Sequence, residues 1–132
     1  MSIPDYQACM LPLLRYSADG NEHQLKDAAL ELAREFALTP EEVNEFLPSG
    51  QQPVFINRIG WARTYLKKAG LLSSPRRGYF QITSRGRTAL EEKPREINVK
   101  YLERFPEFLE FRAARRTDEG SAPGVPSVNT FR

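Results

Sequence analysis

Residues 54–83 read VFINRIGWARTYLKKAGLLSSPRRGYFQIT, a helical pattern followed by a hairpin pattern. In the first half, apolar side chains recur every three or four residues, and at about 100° per residue they share one helix face: Phe55, Ile59, Ala62 and Leu66. Other faces carry small and polar residues: Asn57, Gly60, Arg63, Thr64, Lys67 and Lys68. We predict a helix over about 54–69 with a buried apolar stripe and an exposed, basic, acid-free outer face.

The second half predicts a β-hairpin. Leu71-Leu72-Ser73-Ser74 and Tyr79-Phe80-Gln81-Ile82-Thr83 are typical of short strands, and Pro75-Arg76-Arg77-Gly78 between them is typical of a tight turn. Gly70 is a natural stop for the preceding helix. Residues 75–78, called the hairpin tip below, therefore present two adjacent arginines.

Helices are also predicted on both sides of this stretch. Apolar spacing indicates helices at about 5–18, where Pro12 predicts a kink or a late start, and at about 23–37. Three signals of a helix start agree at Thr39, Pro40 and Glu42, a capping box with proline at the first helical position. Another helix, capped by Thr83 or Ser84, is predicted to end near residue 91.

The last helical pattern covers about 97–116 and is predicted to break before Pro106. Phe105, Phe108 and Phe111 add apolar area there, which predicts docking on the domain or, alternatively, a homodimer contact. From Thr117 the composition shifts to Ser, Pro, Gly and Thr. We predict one domain over 1–116 and a disordered tail or interdomain linker over 117–132.

Charge is strongly separated along the chain. The net charge is +2, yet residues 1–50 hold three basic and nine acidic side chains, whereas residues 51–90 hold eight basic side chains and no acid. The eight are Arg58, Arg63, Lys67, Lys68, Arg76, Arg77, Arg85 and Arg87. Such separation indicates a polyanion partner, with the acidic residues facing away from it.

Composition narrows the class of protein. The longest apolar runs fall far short of the roughly 18 residues that span a membrane, and the N-terminus lacks a secretory signal pattern. A single cysteine, Cys9, and a single histidine, His23, exclude a Cys/His zinc site, and the cysteine count fits a reducing cytoplasm. No cofactor is predicted.

The order helices, long basic-sided helix, basic-tipped hairpin and helix is typical of a winged helix-turn-helix domain, a mainly α fold. A helix of this kind fits the DNA major groove, and arginines on a hairpin beside it pair with phosphates. The sequence therefore predicts binding of double-stranded DNA.

The same residues carry a family resemblance. The block from Phe55 to Leu72, the run from Pro75 to Gly86, the upstream Leu47-Pro48-Ser49-Gly50 and the downstream segment from Tyr101 to Phe108 resemble the Mrr N-terminal domain over roughly residues 3–112. The resemblance implies a prokaryotic restriction-system protein whose winged helix binds DNA while a separate nuclease domain cuts it.

The nuclease part of that family is not found in this sequence. Its Mg²⁺-holding motif needs an Asp-bearing strand and then Glu or Gln, any residue, and Lys on a neighbouring strand. Gln24-Leu25-Lys26 matches the second piece by letter only, because it lies in a helical pattern. We therefore predict no catalytic residue and a non-catalytic domain.

The predicted DNA-binding residues are Asn57, Arg58, Arg63, Thr64, Lys67, Lys68, Arg76 and Arg77. Several keep a second interpretation. Arg58 could pair with an acid of the first helices, Lys68 also favours the helix dipole, and Asn57 is either a base reader or a first-turn helix residue. Trp61 is interpreted as a packing residue rather than a base-stacking one.

Two other function classes stay open. A stand-alone winged-helix transcription regulator would show a palindromic site preference and a symmetric dimer. A protein-interaction winged helix would fail to bind any duplex at low salt.

Overall fold

The structure, a computed structural model, describes the backbone of residues 3–118 and the side chains of residues 3–114. The elements in chain order are α1 (Tyr6–Tyr16), β1 (His23–Gln24), α2 (Leu25–Glu35), α3 (Pro40–Val43), α4 (Val54–Lys68), β2 (Leu72–Ser73), β3 (Tyr79–Ile82), α5 (Ser84–Glu91), α6 (Val99–Leu102) and α7 (Pro106–Asp118). A 3-10 turn, Ser17–Asp19, follows α1. The described part is mainly helical with one small antiparallel sheet, as predicted in outline. It contains no helix with the length and apolarity that crossing a membrane would require.

Side-chain caps set the starts of several helices. The Thr39 hydroxyl accepts a hydrogen bond from the Glu42 backbone N–H at 3.1 Å, and the Glu42 carboxylate accepts one from the Thr39 N–H at 2.8 Å. This confirms the predicted capping box at α3. Thr83 caps α5 by accepting from the Gly86 N–H at 3.0 Å, which confirms the first of the two predicted caps.

The sheet has the strand order β1-β3-β2, with both pairings antiparallel. Leu72 pairs with Ile82 in the predicted hairpin, and His23 pairs with Phe80 at the other edge of β3. The sequence reading placed His23 and Gln24 in a helix, which was wrong. β1 has only two residues, which is too short for an alternating pattern. Its partners in β3 lie more than fifty positions away, so nearby residues do not predict the pairing.

α4 lies at the centre of the fold. α1, α2, α3, β2 and α7 all contact it. The predicted stripe of Phe55, Ile59, Ala62 and Leu66 is buried, which confirms that part of the sequence reading. Trp61 is 2% exposed and its ring centroid lies 6.0 Å from that of Tyr65. The interpretation of Trp61 as a packing residue is therefore confirmed.

The Phe-rich C-terminal region docks on α4. Phe108 is fully buried, and the centroids of Phe108 and Phe111 lie 5.6 Å and 5.5 Å from that of Tyr65. This supports docking on the domain, and no contact of the side chains of residues 3–114 supports the alternative of a homodimer contact. α7 continues to Asp118, two residues past the predicted boundary at 116. The remainder of the predicted tail, residues 119–132, lies outside the described residues.

Cys9 is fully buried in the core, and burial, with a smaller contribution from the charge of Asp5, raises the pKa of its thiol to about 12. Since thiolate is the reactive form, we expect Cys9 of the native protein to resist Ellman's reagent at pH 8. The same thiol should react quickly and stoichiometrically in denaturant. Rapid reaction of the native protein would show that α1 opens readily from the core.

Candidate nucleic-acid interface

The eight basic residues of the acid-free stretch do not form one surface. Some are held by partners inside the domain, some lie together on α4, and two stand at the hairpin tip. Their partners decide which of them are available to a polyanion.

Arg58 is used inside the fold. Its Nη1 donates to the backbone carbonyl oxygens of Ile3 at 2.9 Å and Pro4 at 3.2 Å. The guanidinium therefore ties the segment before α1 to α4. The alternative of an acidic partner in the first helices was therefore wrong, because the acceptors are backbone carbonyl oxygens of the segment before α1.

Arg85 is also engaged. Its Nη1 donates to the Ala69 carbonyl oxygen at 2.8 Å and to Glu107 Oε1 at 3.0 Å, and its guanidinium lies 4.9 Å from the Phe105 ring centroid. It thereby joins the start of α5, the end of α4 and the start of α7. Arg87 is exposed, and its guanidinium lies close to Gly20.

Two predicted site residues on α4 are buried. Asn57 is 4% exposed and donates through Nδ2 to Gln52 Oε1 at 2.7 Å, and Thr64 is 7% exposed. Gly60 is buried as well. The prediction that the outer face of α4 is exposed along its length was therefore wrong. The physical reason is that α4 is packed by neighbours on more than one side, which helical periodicity alone does not reveal.

Arg63, Lys67 and Lys68, called the basic cluster below, occupy the C-terminal half of α4. Lys67 and Lys68 are exposed. Arg63 is half-buried, and its buried Nε has no hydrogen-bond partner among the side chains described, those of residues 3–114. Lys68 Nζ lies 5.4 Å from the Phe111 ring centroid. No acidic group with a described side chain, residues 3–114, pairs with any of the three at ion-pair distance.

The electrostatics of the basic cluster are unfavourable. Burial lowers the pKa of the Arg63 guanidinium. Burial, followed by repulsion from Arg63 and then Lys68, lowers the pKa of the Lys67 ammonium. Both shifts mean that the charged form is disfavoured where it stands. An anion docking between Arg63 and Lys67, which lie one turn apart, would offset this penalty.

The hairpin tip carries the remaining pair. Arg77 is exposed and has no ion-pair or hydrogen-bond partner within the described range. Arg76 is exposed too, but its Nε lies 2.8 Å from Glu22 Oε1, and this hydrogen bond raises the pKa of the Arg76 guanidinium. The expectation that acidic residues of the first fifty positions face away from the basic surface was therefore wrong for Glu22. Glu22 and Arg76 are 54 positions apart, so the sequence pattern gave no indication that they are in contact.

The sequence that carries these residues is similar to known proteins. The family model of the Mrr N-terminal domain matches residues 6–92. Over 87 residues the chain is 36% identical to the type IV methyl-directed restriction enzyme EcoKMrr of Escherichia coli (strain K12). The aligned part is 65% of this chain and 28% of that enzyme, so the chain spans less than a third of the relative's length. Solved structures provide no match. The family match covers the buried α4, the basic cluster and the hairpin, and the chain belongs to the Mrr N-terminal domain family.

Proposed function

We propose that this chain is a winged-helix domain that binds double-stranded DNA without cleaving it. The basic cluster and the hairpin tip are the two contact regions, with Arg63, Lys67, Arg76 and Arg77 as the principal phosphate-binding residues. Lys68 is a secondary contact, whereas Arg58, Asn57 and Thr64 support the fold of α4.

The sheet and its neighbours support the winged-helix assignment. β1 lies between α1 and α2 in sequence and pairs with β3, while β2 follows α4 directly and forms the hairpin with β3. In sequence, the hairpin tip therefore follows the C-terminal end of α4 and the basic cluster. A helix and a neighbouring hairpin can then contact the same duplex.

The observation that carries the proposal is the uncompensated charge of Arg63 and Lys67. Burial of Arg63 and partial burial of Lys67 disfavour their charged forms, and no acid among residues 3–114, whose side chains the structure describes, forms an ion pair with either. Perturbed charges without a structural partner are typical of functional sites. Guanidinium and ammonium groups form strong, charge-assisted hydrogen bonds with the phosphate oxygens of a nucleic acid backbone.

The biological role that we propose is based on the similarity of this chain to part of a restriction enzyme. The relative is named a methyl-directed restriction enzyme, and this chain matches only 28% of it. We infer that the domain places a nuclease activity, carried elsewhere in such proteins, on its DNA target. We also infer a cytoplasmic, prokaryotic setting, where restriction of DNA takes place.

We expect Arg63→Ala and Lys67→Ala each to lower DNA affinity roughly tenfold in moderate salt, because each removes one phosphate contact. The slope of log affinity against log salt should become shallower by about one for each variant. Gel-shift titrations with methylated and unmethylated duplexes at two salt concentrations measure both quantities. Thermal melts of the variants check that the fold is intact.

Lys26→Ala is the matched control, since Lys26 is an exposed lysine on α2 at the acidic end of the chain. It should bind DNA like the parent. If the two α4 variants also bind like the parent at low salt, the basic cluster is not the interface. A palindromic site bound by a symmetric dimer would instead favour a transcription regulator, and no binding to any duplex would favour a protein-interaction module.

A further inference from the structure

Arg76 at the hairpin tip is held on two sides. Its Nε donates to Glu22 Oε1 at 2.8 Å, and its guanidinium carbon lies 3.8 Å from the ring centroid of Tyr79. Glu22 belongs to the turn before β1, and Tyr79 is the first residue of β3. The arginine is therefore fixed by two different parts of the chain.

Both supports are themselves anchored. Gln81 Nε2 donates to the Gly20 carbonyl oxygen at 2.8 Å, which ties the Glu22 turn to β3. Within the hairpin, the Tyr79 N–H donates to the Arg76 carbonyl oxygen at 3.0 Å, and the Ser74 hydroxyl lies 3.0 Å from the Tyr79 carbonyl oxygen. These bonds keep the backbone of Arg76 in register with its two supports.

The geometry leaves the outer end of the guanidinium available. Among the described residues only Nε of Arg76 is engaged, so Nη1 and Nη2 keep their N–H groups for another acceptor. The end-on fork of the two Nη atoms matches two oxygens of one phosphate. A carboxylate on Nε and a phosphate on the Nη atoms can therefore be bound at the same time.

We propose that Glu22 and Tyr79 are positioning residues that preorganise Arg76 for a DNA phosphate. This inference rests on the proposed function. A flexible arginine loses rotamer freedom when it binds, whereas an arginine already held in place loses less. Glu22 therefore aids DNA binding through Arg76, although its own charge opposes the approach of a polyanion.

The test compares Glu22→Gln with Glu22→Ala, because both remove the negative charge and only the first keeps an acceptor for Arg76 Nε. We expect Glu22→Ala to bind duplex DNA about two- to tenfold more weakly than Glu22→Gln, the typical range for one immobilised side chain. In an Arg76→Ala background the two substitutions should bind equally. The Nε–Hε resonance of Arg76, followed by NMR without DNA, should be slow to exchange in the parent and in Glu22→Gln and fast in Glu22→Ala.

Equal affinity of Glu22→Ala and Glu22→Gln, with Arg76 present, would overturn the proposal. Equal tightening of both over the parent would overturn it as well, because Glu22 would then act only as a competitor of phosphate. The proposed function fails on a different result, namely that Arg76→Ala and Lys67→Ala both leave DNA binding unchanged. The two ideas are thus tested separately.

Discussion

Replacing Phe108 with alanine is expected to lower the free energy of unfolding by about 3–5 kcal/mol. Phe108 is fully buried, and its ring packs against Tyr65 of α4 and Phe111 of α7. Truncation leaves a cavity at the contact between α4 and α7, since the two helices are also joined through Arg85 and cannot close freely. Chemical denaturation followed by circular dichroism measures the change.

Leu109→Ala is the control for this prediction. Leu109 is the next residue on α7 but is 49% exposed, so its truncation should cost much less, on the order of 1 kcal/mol or below. The loss for Phe108→Ala should also be independent of protein concentration. A melting temperature that rises with concentration in the parent and loses this dependence in the variant would instead place Phe108 in a subunit contact.

Gly86→Ala is expected to destabilise the protein by about 3 kcal/mol, with a fall in melting temperature on the order of 10 °C. A Cβ at Gly86 would collide with the Leu71 backbone carbonyl oxygen and lie 2.7 Å from Ile82 Cγ1. The carbonyl oxygen belongs to the backbone between α4 and β2 and cannot rotate away. Helix propensity alone gives the opposite sign, a gain of about 1 kcal/mol for alanine over glycine within α5.

Gly50→Ala is the control that distinguishes the effect of a steric collision from the effect of backbone strain. Gly50 has a φ of 75°, which disfavours alanine, but no atom would lie within 4 Å of its Cβ. We expect a loss of about 1 kcal/mol there. If Gly86→Ala is as stable as the parent, α5 does not approach Leu71 as closely as the structure shows.

Local signals in the sequence predicted most helices well. The capping box at Thr39 and the four-residue spacing of apolar positions in α4 are properties of neighbouring residues, and both are confirmed. The hairpin was predictable for the same reason, because the Pro-Arg-Arg-Gly turn separates two short apolar runs. The family resemblance, now shown over residues 6–92, rested on the α4 and hairpin blocks and on residues 47–50; its downstream block, residues 101–108, lies outside the matched range.

Contacts between distant residues account for what was missed. The burial of Asn57 and Thr64 depends on how many neighbours pack around α4, and a helical wheel shows only where one apolar face points. The Glu22–Arg76 pair joins positions 54 apart, and β1 exists only through its pairing with β3. A charge count could identify the basic stretch, but it could not tell Arg58 and Arg85, which hold the fold together, from Lys67 and Arg77.

Burial of charge in the basic cluster, with repulsion as the smaller contribution at Lys67, links DNA binding to the stability of the domain. Because folding brings Arg63 and Lys67 together where their charges are disfavoured, the native state carries an energetic penalty that the unfolded chain lacks. A bound polyanion offsets this penalty, and that gain is part of the binding free energy by which the ligand stabilises the native state. Under the proposed function, the domain therefore has a lower free energy of unfolding when it is free of DNA than when it is bound to DNA.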